Sequence, residues 1–111
     1  MIHEPETLRI RTETSPDGHV LRLSGELDLA SAGELDTAIA ELCTDGARRI
    51  CLEMADLSFM DSTGLRSVLV GQELCEVNGC ALLIGELSSQ VRRLFEVSGV
   101  GEKLTFRDAA A

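Results

Sequence analysis

The chain has no tryptophan, no tyrosine and only three phenylalanines. Its core must therefore come from Leu, Val, Ile and Ala. No apolar run approaches the roughly 20 residues needed to span a bilayer, so a membrane role is not expected. The N-terminus is polar and acidic, unlike a secretory signal, and the expected location is cytoplasmic. The four cysteines, Cys43, Cys51, Cys75 and Cys80, show no CxxC spacing. Each sits among apolar residues and reads as a small, reduced core side chain. Cys75 and Cys80 are too far apart for a usual zinc knuckle, and His3 and His19 have no regular spacing to them; no metal site is expected. Neither GxxxxGK[ST] nor GxGxxG is present, and no GxSxG elbow follows a strand. Chemistry on ATP and a bound cofactor are both unsupported. Positive charge is scarce too: 10 Lys and Arg stand against 19 Asp and Glu, a net charge of −9. That balance argues against direct nucleic-acid binding and suits a partner with a basic face. Arg66, Arg92 and Arg93 are the local exception.

What is present reads as one domain. The 111 residues have room for one compact core, and the element pattern spans about 8–106. Leu8, Ile10 and Thr12 alternate with Arg9, Arg11 and Glu13 as a half-buried strand. Ser15-Pro16-Asp17-Gly18 is a turn, and a second strand covers His19 to Ser24, antiparallel to the first. Gly25 to Ala30 is expected to connect to a helix. Ser31 and Glu34 have capping-box spacing; Leu35, Ala38, Ile39 and Leu42 mark the inner face; Asp45-Gly46 is the stop. A strand over Arg48 to Met54 comes next, then a helix from about Ser62 to Val77, ended by Asn78-Gly79. Cys80 to Ile84 is continuously apolar, as for a strand covered on both faces. Ser88 or Ser89 caps a third helix with Val91, Leu94 and Phe95 inward and Gly99 at its end. Leu104 to Phe106 is expected as an edge strand. Residues 1–6 and Asp108 to Ala111 are expected to be loose ends. Helices between strands require crossovers, hence an α/β fold with a largely parallel sheet and an N-terminal antiparallel hairpin.

One stretch organises the rest. Leu57, Phe59 and Met60 give way abruptly to Asp61-Ser62-Thr63-Gly64, and helical spacing then starts with Leu65, Val68 and Leu69. Asp61 is suited to cap the helix, which puts Ser62 in a first turn where free N–H groups tolerate a phosphate. Gly64 adds no side chain, so another molecule can approach the backbone. Asp61 fits a cap better than a general base, for want of a second catalytic partner.

Phe59-Met60-Asp61-Ser62-Thr63-Gly64-Leu65 resembles the phosphorylation-site signature of the bacterial anti-sigma factor antagonists, which are single STAS domains. Gly25-Glu26-Leu27-Asp28-Leu29-Ala30-Ser31-Ala32 resembles that family's other characteristic motif. Both blocks occur in the family's order with similar separation. The resemblance implies a mixed sheet with helices packed largely to one side. It implies a regulatory binding module, not an enzyme. The unphosphorylated form would bind an anti-sigma factor serine kinase, with ATP held by that partner, and so free a sigma factor. Phosphorylation at Ser62 would end the complex, and a serine phosphatase would restore the binding form. Asp28 matches an Asp that helps engage the kinase; its plainer role is to satisfy N–H groups at a helix start. Asp28, Asp61, Ser62, Thr63 and Gly64 are therefore the expected partner surface, and Leu27 and Leu29 are expected in the core. The alternative is a STAS docking subunit of a lipid or anion transport complex, and a third reading is a small enzyme.

Overall fold

The computed structural model describes residues 6–107. The elements in chain order are β1 (Arg9–Ser15), β2 (Gly18–Leu27), α1 (Ala32–Thr44), β3 (Arg49–Met60), α2 (Ser62–Val77), β4 (Ala81–Leu87), α3 (Ser89–Ser98) and a 3-10 turn, Val100–Lys103. The strands form one sheet in the order β1-β2-β3-β4. β1 and β2 are antiparallel, while β3 runs parallel to both β2 and β4. This is the mixed sheet expected from the element order. Between β1 and β2 only Pro16 and Asp17 are unpaired, and Gly18 at φ 132° completes the reversal. Few residues but glycine accept that backbone.

One face of the sheet carries the core. Leu21, Leu23, Ile50, Leu52, Met54, Leu82 and Ile84 join Leu35 and Ile39 of α1, Val68 and Cys75 of α2, and Val91 and Phe95 of α3 in one cluster. The other face is different. Cys51 and Glu53 are buried there, and the Arg107 guanidinium forms an ion pair with the Glu53 carboxylate. Gly85 on β4 leaves the space that the Glu53 side chain fills.

Several boundaries differ from the sequence reading. β2 does not stop at Ser24 but continues to Leu27. Gly25 reads as a break in sequence; in the sheet it takes φ 86° beside a register shift, and the ladder continues past it. β3 runs on from Met54 to Met60 because the extended β2 supplies partners, with Ser24 opposite Asp56 and Leu27 opposite Met60. β1 is an edge strand with little buried beyond Ile10, so the exposed Thr12 does not mark a core face. β4 is not covered evenly: Leu82 and Ile84 are buried, Leu83 only half so. Leu104 to Phe106 make no strand; Phe106 forms a single parallel bridge to Ile84 after the 3-10 turn. Ser31 makes no side-chain cap bond to α1. The spacing to Glu34 is right, but the hydroxyl is engaged elsewhere. Of the expected loose ends, residues 1–5 and Asp108 to Ala111 lie outside the described residues. Glu6 is held, since its carbonyl accepts from Glu26 N–H at 3.1 Å.

Candidate functional site

β2 and β3 are neighbours and parallel, and their last residues, Leu27 and Met60, are in register. The chain therefore leaves both strands at the same edge of the sheet. After β2 come Asp28 to Ser31; after β3 comes Asp61 alone, then α2. Ser62 is thus not in a loop. It is the first residue of α2, and it is exposed.

Asp61 holds this edge together. Its Oδ1 accepts from Gly64 N–H at 2.9 Å, which is the cap expected from sequence. Its Oδ2 accepts from Leu29 N–H at 3.3 Å, across 32 positions of chain. One carboxylate therefore caps α2 and ties the segment after β2 to it. Asp61 N–H also donates to the Leu27 carbonyl at 3.3 Å.

Asp28 shapes its own turn. Its Oδ1 accepts from Ala30 N–H at 3.0 Å and from the Ser31 hydroxyl at 3.2 Å, and its carbonyl accepts from Ala32 N–H at 2.8 Å. The Ser31 oxygen also lies 2.9 Å from the Glu26 carbonyl, and it accepts from Asp28 N–H at 3.1 Å. Ser31 thus closes the turn from within, which explains why it does not cap the helix through its side chain. Beside the turn a cleft of about 250 Å³ includes Glu6, Glu26, Asp28 and Glu34 in its walls.

The remaining motif residues divide. Thr63 is half-buried and Gly64 is buried. A Cβ on Gly64 would stand 2.5 Å from the Leu27 carbonyl oxygen and 2.9 Å from Leu27 Cγ. The close approach that needs glycine here is internal, between α2 and the end of β2. Leu27 is fully buried, as expected, but Leu29 is 78% exposed, not in the core. Alternation puts both leucines on one face only while the strand lasts, and β2 ends at Leu27. Sequence reasoning missed Leu29 as a surface residue and missed the acidic cleft. The signal was present: Leu29 comes directly after the Asp-turn residue, where alternation no longer applies.

Together these features define a class of protein. A small α/β domain presents an exposed serine at a helix start, beside an acidic turn and an exposed leucine, on one rigid sheet edge. The chain belongs to the STAS domain family: the family profile described as "Mlab, STAS domain" matches residues 10–106. It is 32% identical over 93 residues to an anti-sigma-B factor antagonist of Staphylococcus aureus, covering 84% of this chain and 86% of the relative. Its fold is similar to that of an anti-sigma factor antagonist from Mycobacterium paratuberculosis, with TM-score 0.77 and 20% identity over 96% of this chain and 91% of that one. It is also similar to the phosphorylated form of the Bacillus cell fate determinant SpoIIAA, with TM-score 0.68, 27% identity and 90% of each chain covered.

Proposed function

We propose that this chain is an anti-sigma factor antagonist switched by phosphorylation of Ser62. In this reading the unphosphorylated form binds an anti-sigma factor serine kinase and so frees a sigma factor. The kinase supplies ATP and modifies Ser62; a serine phosphatase reverses the modification. The observation that carries the reading is the position of Ser62: exposed, first in α2, and joined through Asp61 to the turn that holds Asp28. Relatives of the same family named as antagonists support it.

The energetics favour a switch that acts on the complex and spares the fold. A phosphate adds about −1.5 to −2 charges at neutral pH. At the start of α2 the helix dipole and free N–H groups offset part of that, typically by ~0.3–1 kcal/mol. A docked partner gains no such offset. It must desolvate the dianion beside Asp28 and Asp61, and a loss of ~1.4 kcal/mol already weakens binding tenfold. Asp28, Asp61, Ser62 and Thr63 form the contact surface, and Gly64 serves it by letting α2 sit against Leu27.

The test is incubation with the cognate kinase and ATP, then intact-mass and fragment mapping, with binding measured for each form. We expect one phosphate on Ser62, modification of Thr63→Ala but not of Ser62→Ala, and weak binding by Ser62→Asp. Phosphate mapped elsewhere would overturn the proposal. So would a Ser62-phosphorylated form that binds as tightly as the unmodified chain. Co-purification with an ATPase and a permease, without phosphate turnover, would point instead to a docking subunit of a transport complex.

A further inference from the structure

Three of the four cysteines meet at the opposite end of the molecule from Ser62. Cys43 lies in the last turn of α1, Cys75 in the last turn of α2, and Cys80 between α2 and β4. Their sulfurs all lie within 4.8 Å of one another, and Cys43 and Cys75 are 3.8 Å apart. All three residues are buried, Cys75 completely, with Cys43 and Cys80 at 8% and 5% exposure. Sequence spacing argued against a metal site because neither the Cys75–Cys80 interval nor the positions of His3 and His19 match a usual zinc pattern, and spacing along the chain does not show Cys43 beside Cys75. The packing of α1 against α2 brings in the third sulfur from 32 residues away.

We propose that Cys43, Cys75 and Cys80 form a binding site for one soft, thiophilic metal ion of low coordination number, with Cu(I) as the probe ion. The geometry points there. Metal–thiolate bonds are about 2.3 Å long, so three sulfurs around an ion in their plane stand about 4.0 Å apart. The Cys43–Cys75 separation already meets that, and the third sulfur needs to move by under about 1 Å. Structural zinc takes four ligands. Among the described residues, the group that converges here holds three donors and no fourth. Thiolates select soft ions, and a three-sulfur set suits Cu(I) better than Zn(II). Each sulfur that binds gives up its proton to solvent, and no electron is transferred. Cys43 and Cys80 give the ion its way in. The ion would join the C-terminal ends of α1 and α2, the helices whose N-termini border the Asp28–Ser62 surface.

The fourth cysteine is a built-in control. Cys51 lies on the other sheet face, 3.4 Å from Glu53 Oε1. The experiment is an anaerobic titration of the reduced, full-length chain with Cu(I), in competition with a chromophoric Cu(I) chelator. We expect one Cu(I) per chain in the wild type and in Cys51→Ser, with a near-ultraviolet copper–thiolate absorption band. Cys43→Ala and Cys80→Ala should each lose at least about tenfold in affinity. X-ray absorption on the wild-type complex should count only sulfur neighbours, which keeps the proposal testable if a variant fails to fold. Absence of chelator-resistant copper would overturn it. Unchanged affinity in both alanine variants, nitrogen or oxygen neighbours in the absorption spectrum, or displacement of the copper by equimolar Zn(II) would each do the same.

Discussion

Asp61 and Gly64 carry more of the site than their size suggests. The Asp61 carboxylate makes one bond within α2 and one to the chain after β2. Removing it loses a cap, worth about 0.5–2 kcal/mol, and frees Leu29 from α2. Gly64→Ala tests the packing: the new methyl meets the Leu27 carbonyl at 2.5 Å. Overpacking of this kind costs typically about 1–3 kcal/mol. Urea unfolding should show that loss with an unchanged slope, and an alanine as stable as wild type would mean that α2 shifts freely. Asp28 presents a sharper question, because its carboxylate already serves the turn through Ala30 and Ser31. Asp28→Asn keeps an acceptor for those bonds and removes the charge. We expect it to stay folded while kinase binding, measured by calorimetric titration, weakens. Unchanged affinity would leave Asp28 as a turn-forming residue only.

At the scale of elements, the segment between β2 and α1 is where local pattern and actual bonding part. The Ser-x-x-Glu spacing at Ser31 and Glu34 suggested a capping box, yet the Ser31 hydroxyl bonds to Asp28 and the Glu26 carbonyl instead. Ser31→Ala should therefore cost about 1 kcal/mol, the usual worth of a hydrogen bond. Its structural mark should be faster amide exchange at Asp28 and Ala30. Glu34→Ala, with no reciprocal cap to lose, should change stability by less than about 0.5 kcal/mol. Equal losses from both would show that the capping box forms in solution. The two other helices start as their sequences suggest: Asp61 caps α2, and the Ser88 hydroxyl accepts from Val91 N–H at 3.3 Å to cap α3. Gly99 at φ 68° then ends α3.

At the scale of the whole molecule, the thiols make stability sensitive to alkali. Burial pushes the thiol of Cys75 far up from its ordinary value, and neighbouring thiols add to the effect. Burial raises Cys80 and Cys51 as well. A folded-state pKa above the unfolded one means that the unfolded chain releases thiol protons first. The stability from this source is complete below about pH 8.5, where ordinary thiols remain protonated, and declines as pH rises beyond it. The chain has no tyrosine and a single lysine, so few other groups titrate in that window. Melting temperature should fall from neutral pH toward about pH 10, and Cys75→Ala should flatten that slope. With all four cysteines free, melting at neutral pH should be one cooperative transition that reductant leaves unchanged. A non-reducing gel with a native intramolecular disulfide would contradict this.

The sequence by itself determined the order of elements from β1 to α3, the hairpin turn at Pro16-Asp17, the cap at Asp61, the α3 cap to within Ser88 or Ser89, and the helix from Ser62 to Val77. Each of these is set by residues within a few positions of one another: a proline's fixed φ, a carboxylate beside free N–H groups, apolar side chains at helical spacing. The tertiary structure alone decided the rest, because the deciding partner lies far along the chain. β2 and β3 reach beyond their apparent ends because each gives the other a ladder to bond to. Leu29 faces solvent because its N–H is held by Asp61 across 32 positions. Glu53 is buried because Arg107 pairs with it from the far end of the chain. Three scattered cysteines become one cluster only because α1 packs on α2, where Gly71 lets the Ile39 side chain come within 2.7 Å of where its own Cβ would be.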